Sequence, residues 1–218
     1  MNGIDVNCLI GHWPFWKLHK NTFKDIREIH KANNITSGYI SSINSIFYND
    51  PFEGDEELHE TIKGTDYHHV LTVNPQLPGF VQDVKEGIKR FGAKGVKIYP
   101  GYHGYSLNDS KLKVLCQVLY DYDIPLFVSL RMEDQRLDYL IKPENIQVED
   151  IKSFLDNRHK DKIIILTALF QELMQLTEDI NNHKYAKFDT FSLKGQLFTI
   201  EKLLKAFSPE KMVYGSLY

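Results

Sequence analysis

Short apolar runs of β character alternate with stretches of helical spacing along the whole chain, and few folds accept that order. Strand-like runs fall at residues 4–10, 35–41, 69–73, 95–99, 124–130, 162–167, 185–191 and 212–216. Helical spacing fills the intervals at 23–32, 56–62, 80–91, 108–122, 148–155, 169–176 and 197–207. Gly92 closes one helix, and Asn108-Asp109-Ser110 caps the next, which is expected to turn Leu112, Leu115, Leu119 and Tyr122 inward. The strands are apolar without strict alternation, the signature of a parallel sheet covered on both faces.

Eight such units predict a (β/α)8 TIM barrel occupying residues 1–218 as a single domain. An open doubly wound sheet would use fewer units, and no glycine-rich phosphate loop is present. At 218 residues the chain is short for a barrel, which typically runs to about 250. It stops just after the eighth strand, which predicts a barrel lacking its last helix, its edge patched by a neighbour or the chain trimmed. That leaves a homo-oligomer open.

Hydrophobic residues at 42% suffice for a core, and the net charge of −3 argues against nucleic acid or an anionic membrane as partner. Cys8 and Cys116 both lie in apolar patterns and read as buried thiols. The N-terminus carries no basic stretch followed by an apolar one, and no apolar run has the length of a membrane span, so the expected location is cytoplasmic.

In barrels of this kind chemistry sits at the C-terminal strand ends. Ile4-Asp5-Val6-Asn7-Cys8-Leu9-Ile10-Gly11 resembles the first strand of the amidohydrolase-related family, which reads Asp-x-His-x-His-x-Gly. Residues 92–100, followed by Tyr105-x-Leu107-Asn108-Asp109, are similar to its fourth strand, residues 124–128 to its fifth, and residues 212–218 to its last, which normally ends Gly-Ser-Asp. These matches span nearly the whole chain in the family's order. The resemblance implies a metal-dependent hydrolase barrel, often with zinc, that activates water or assists decarboxylation of small acids.

The metal ligands depart from the pattern. The family's two first-strand histidines fall at Asn7 and Leu9, the fifth-strand histidine at Ser129, the sixth-strand histidine near Ala168 and the last aspartate at Leu217. Zinc wants three or more nitrogen, thiolate or carboxylate ligands, so this reading expects the usual zinc site to be lost, with no metal cofactor. Other groups occupy the strand ends. His103, Lys97 and Asp189 are the expected catalytic residues: an imidazole titrating near neutrality, an ammonium that can polarise a carbonyl, and a carboxylate. The lysine equally suits an internal ion pair with Glu133 or Asp189. Asn7, His12, Trp13, Phe15, Tyr99, Tyr102, Tyr105, Arg131, Glu133 and Arg136 are the expected substrate contacts, the arginines as carboxylate forks or as an Arg–carboxylate network around Glu133-Asp134. His12, His103, Glu133 and Asp134 together offer a relocated metal site. His59, His68 and His69 read as packing or surface residues. The expectation is a degenerate amidohydrolase-related hydrolase acting on a small anionic molecule. A non-catalytic small-molecule or carbohydrate binder, and an assembly partner on a pseudoenzyme barrel, are the alternatives.

Overall fold

The computed structural model describes residues 3–132, 143–193 and 197–217. Its eight strands are β1 Gly3–Ile10, β2 Ile35–Ser42, β3 His68–Thr72, β4 Gly95–Ile98, β5 Leu126–Ser129, β6 Ile163–Leu166, β7 Lys187–Asp189 and β8 Met212–Val213. They follow one another in chain order in the sheet, and the pairs that are described run parallel. The helices are α1 Phe23–Ala32, α2 Asn44–Phe47, α3 Pro51–Ile62, α4 Phe80–Phe91, α5 Pro100–His103, α6 Ser110–Asp121, α7 Val148–Asp156, α8 Phe170–Gln175, α9 Thr177–Asn182 and α10 Thr199–Ala206. This β-then-α order is the (β/α)8 TIM-barrel fold. None of the described helices is long and apolar enough to cross a membrane.

Two compact units divide the chain, one reaching Lys97 and taking in the segment from Tyr214, the other Ile98–Val213. In the first, Thr22 and Asp25 close a capping box at the start of α1. The helix then turns Ile26 and His30 inward. Cys8, Ile10, Ile26, Ile40, Leu58 and Ile62 form one core cluster, with Phe23 and Tyr67 packed against it. The β1–β2 register shifts between Asp5 and Cys8. Along β1 the amide of Val6 donates to the carbonyl of Tyr214, and that of Leu217 to the carbonyl of Asn7, both at 2.9 Å.

In the second unit Asp109 caps α6 by accepting from the Lys111 amide at 2.7 Å. Leu112, Leu115, Cys116 and Leu119 are buried beneath it. Tyr122 does not point inward as expected: it is 46% exposed, because α6 ends at Asp121 and its apolar stripe closes at Leu119. The expected helix at 169–176 is α8, followed directly by the further helix α9. Helices α2 and α5 were not anticipated, since four residues are too few to carry a period.

Candidate functional site

At the β1 and β4 ends of the first unit, Asn7 and Lys97 are brought together. Strand alternation sends both side chains into a dry interior, where an ammonium must find acceptors. Lys97 is 2% exposed, and its Nζ donates to Asn7 Oδ1 at 2.7 Å. Asn7 is held in turn by its amide, which donates to Asp5 Oδ1 at 2.9 Å. Trp13 and Phe15 meet edge to face at 5.6 Å, and Phe47 and Trp16 complete the cluster around a buried Trp13. His12 is exposed, and its amide donates to Asn44 Oδ1 at 2.8 Å.

The second unit gathers two further groups. The turn of α5 carries Tyr102 and His103 just after Tyr99, and their amides donate back to the Tyr99 carbonyl at 3.1 and 3.0 Å. The His103 ring lies edge-on to Tyr99 at 6.1 Å and stacked with Tyr105 at 6.5 Å. Burial pushes the Tyr105 hydroxyl well above its ordinary pKa. Elsewhere Arg131 sends Nη1 to Glu172 Oε2 at 2.8 Å and Nη2 to Oε1, a bidentate ion pair, and Nη1 also reaches the Thr167 carbonyl. The Thr167 amide donates to the fully buried Asp189 at 2.8 Å. Arg131, Thr167 and Asp189 are thus one hydrogen-bonded chain. The Arg–carboxylate network expected around Arg131 has Glu172 as its described carboxylate; Glu133, Asp134 and Arg136 lie outside the described residues.

At the positions that the family resemblance gives to metal ligands stand Asn7, Leu9, Ser129, Ala168 and Leu217. Leu9 and Ala168 offer no donor atom, and the Asn7 side-chain oxygen already faces an ammonium at 2.7 Å. Ser129 directs its hydroxyl to the Arg131 carbonyl at 3.3 Å, and Leu217 presents an aliphatic side chain from a left-handed backbone at φ 58°.

Two buried clusters of the first unit escaped the sequence reading. His30 Nε2 lies 3.2 Å from Asp5 Oδ2 and 4.0 Å from Cys8 Sγ, while its Nδ1 is 2.7 Å from the Tyr67 hydroxyl. His69 Nε2 lies 3.2 Å from Asp55 Oδ1, and the His69 ring stacks on Phe91. Burial pushes the Asp55 carboxyl up to about 6, against the pull of His69. The available signal was His30 itself, a polar residue on the apolar stripe of α1 that required a buried partner.

The class defined by these β/α units is the TIM barrel, and solved structures match it over most or all of the chain. A 5-carboxyvanillate decarboxylase, LigW, from Sphingomonas paucimobilis matches at TM-score 0.73 and 9% identity, over 100% of this chain and 88% of its own. Amidohydrolase 2 from Bifidobacterium longum subsp. infantis matches at TM-score 0.65 and 14% identity, over 100% and 84%. A 5-carboxyvanillate decarboxylase from Novosphingobium aromaticivorans, complexed with manganese and 4-hydroxy-3-methoxy-5-nitrobenzoic acid, matches at TM-score 0.65 and 14% identity, over 88% and 69%. At these identities the likeness is one of fold. No protein-family model and no curated protein matches the sequence.

Proposed function

We propose that this chain is an amidohydrolase-related enzyme, a hydrolase or decarboxylase acting on a small carboxylate without the metal that such barrels usually hold. The observation that carries the reading is Lys97, a buried ammonium at a strand end, oriented by Asn7 Oδ1 at 2.7 Å. A fixed positive charge in a dry setting neutralises a substrate carboxylate or a developing oxyanion and needs no reorganisation to do so. The aromatic acid with which the Novosphingobium decarboxylase is complexed supports a small acid as the substrate class. His103 is the proposed proton carrier and Asp189 the proposed anionic partner. Tyr99, Tyr102 and Tyr105 are proposed to supply apolar walls. The protein is proposed to work in the cytoplasm on a small molecule, with no nucleic-acid or membrane partner and with a homo-oligomer open.

Thermal unfolding with a panel of aromatic and aliphatic carboxylates tests the reading. A ligand present at about 100 times its Kd stabilises by about 2.7 kcal/mol. The expected result is a raised Tm for at least one acid, lost in Lys97→Gln, with product formed on incubation. Stabilisation that survives Lys97→Gln overturns the role of the lysine. A raised Tm without product favours the second reading, a non-catalytic binder, which the aromatic cluster around Trp13, with Trp16 39% and Phe47 37% exposed, also supports.

A further inference from the structure

We propose that Asp5, Cys8 and His30 form a binding site for one divalent transition cation of the zinc type, on the side of β1 that packs against α1. Three different elements of the sequence build it. The register shift in β1 lies between Asp5 and Cys8, and both residues have donor atoms beside the same imidazole. Helix α1 supplies that imidazole from its inward stripe. Gly38 of β2 leaves the space, since a Cβ there would sit 2.6 Å from Cys8 Sγ and 3.4 Å from His30 Cε1.

The geometry suits zinc. The three donor atoms lie within 4.8 Å of one another, with Nε2 3.2 Å from the carboxylate oxygen and 4.0 Å from the sulfur. Bonds of about 2.0–2.3 Å in a tetrahedral shell set ligand–ligand separations of about 3.3–3.6 Å. Small movements of the donors therefore close the shell on three protein ligands and one open position. Thiolate and imidazole favour zinc over magnesium or calcium. Charge also balances: a dication with one thiolate and one carboxylate is neutral overall, which suits a site whose three residues are at most 1% exposed.

With His30 as a neutral imidazole the protons balance. Burial and the neighbouring Asp5 keep the Cys8 thiol protonated, so the cation displaces that proton to solvent. On His30 the proton between Nε2 and Asp5 leaves as the metal takes Nε2, and Nδ1 gains one and donates it to the Tyr67 oxygen, 2.7 Å away. Tyr67 thereby fixes the tautomer, the part an outer-shell partner plays. The charged and titratable groups around the cluster are Asp5, Lys97, Tyr67 and, beyond Tyr67, Arg27. Lys97 assists by favouring the thiolate.

Titration of the metal-free full chain with Co2+ tests the site, and it does not depend on any turnover at the strand ends. The expected result is one equivalent bound, a near-ultraviolet thiolate-to-cobalt band and release of one proton. Cys8→Ser removes that band, and Tyr67→Phe weakens binding roughly 10- to 100-fold. X-ray absorption on the wild-type zinc form supplies a readout that requires no variant, with one sulfur in the shell expected. Absence of stoichiometric uptake, or a shell without sulfur, overturns the proposal.

Discussion

The first unit contains two buried aspartate–histidine pairs with the same 3.2 Å separation and quite different surroundings. Asp5 accepts from three donors: the Asn7 and Ser216 amides on Oδ1 and His30 on Oδ2. Its histidine is tied at the far nitrogen by Tyr67. Asp55 accepts from His69 and from the Thr72 amide, and His69 Nδ1 is buried with no hydrogen-bond partner among the described residues. The ring stacks instead on Phe91, which also stacks on His59. A buried polar pair costs least when its remaining donors and acceptors are also satisfied. The Asp5 pair is therefore the framework element, and the Asp55 pair is the one under electrostatic tension.

The largest expected difference is in removal of the carboxylates. Asp5→Ala strands two amides and a histidine and costs about 3–5 kcal/mol in urea unfolding. Asp55→Ala costs about 1–3 kcal/mol, since it strands fewer donors. Equal losses would break the comparison.

Next in size is a pH effect of the second pair. The Asp55 carboxyl titrates at about 6 in the folded chain and near 3.9 when unfolded. Between those values the folded state keeps a proton that the unfolded state has released. Stability is therefore full below about pH 4 and is eroded by about 3 kcal/mol as pH rises through about 6. Asp55→Asn should flatten that slope, as read by denaturation curves from pH 4 to 7. An unchanged slope would assign it to another group.

A crowded glycine stands near each pair: Gly38 against Cys8 and Asp5, and Gly54, next to Asp55 in sequence, against Ser45. A Cβ on Gly54 meets the Ser45 backbone nitrogen at 2.7 Å, whereas one on Gly38 meets the Cys8 sulfur at 2.6 Å and the Asp5 carbonyl at 3.0 Å. Both alanine variants should lose about 1–3 kcal/mol, with Gly54→Ala the worse because the main chain yields less than a thiol. Thermal melts would rank them. The smallest effect sharpens the contrast at the imidazoles. Tyr67→Phe unpairs His30 Nδ1 and costs about 1 kcal/mol, while Phe91→Leu removes only ring stacking from His69 and costs about 0.5–1.5 kcal/mol.

The fold was legible because periodicity and caps are local. Residues 23–32 and 80–91 were read with their final boundaries, and Gly92 closes α4 in the left-handed region at φ 64°. The turns α2 and α5 were not legible, because backbone geometry after a strand sets them rather than a repeating pattern. The site was legible only as a list. Asn7 and Lys97 stand 90 positions apart, and nothing in either strand announces the other. Cys8 was correctly read as a buried thiol, yet its neighbours Asp5 and His30 depend on a register shift that no composition encodes. For His69, expected as a packing or surface residue, burial and the stack on Phe91 decide for packing.

The bond from the Ser216 amide to Asp5 Oδ1 spans 211 positions of sequence. During synthesis the first strand leaves the ribosome long before residue 216 exists, at about 5–20 residues per second. For that interval of ten seconds or more, the Asp5 carboxylate has only part of its final set of donors. Contacts of such separation also form late in refolding, because closing so long a loop carries an entropic cost before any reward. The nascent first strand is therefore a segment whose last hydrogen bonds must wait until residue 216 has been made, and a chaperone that shields it would act in that window.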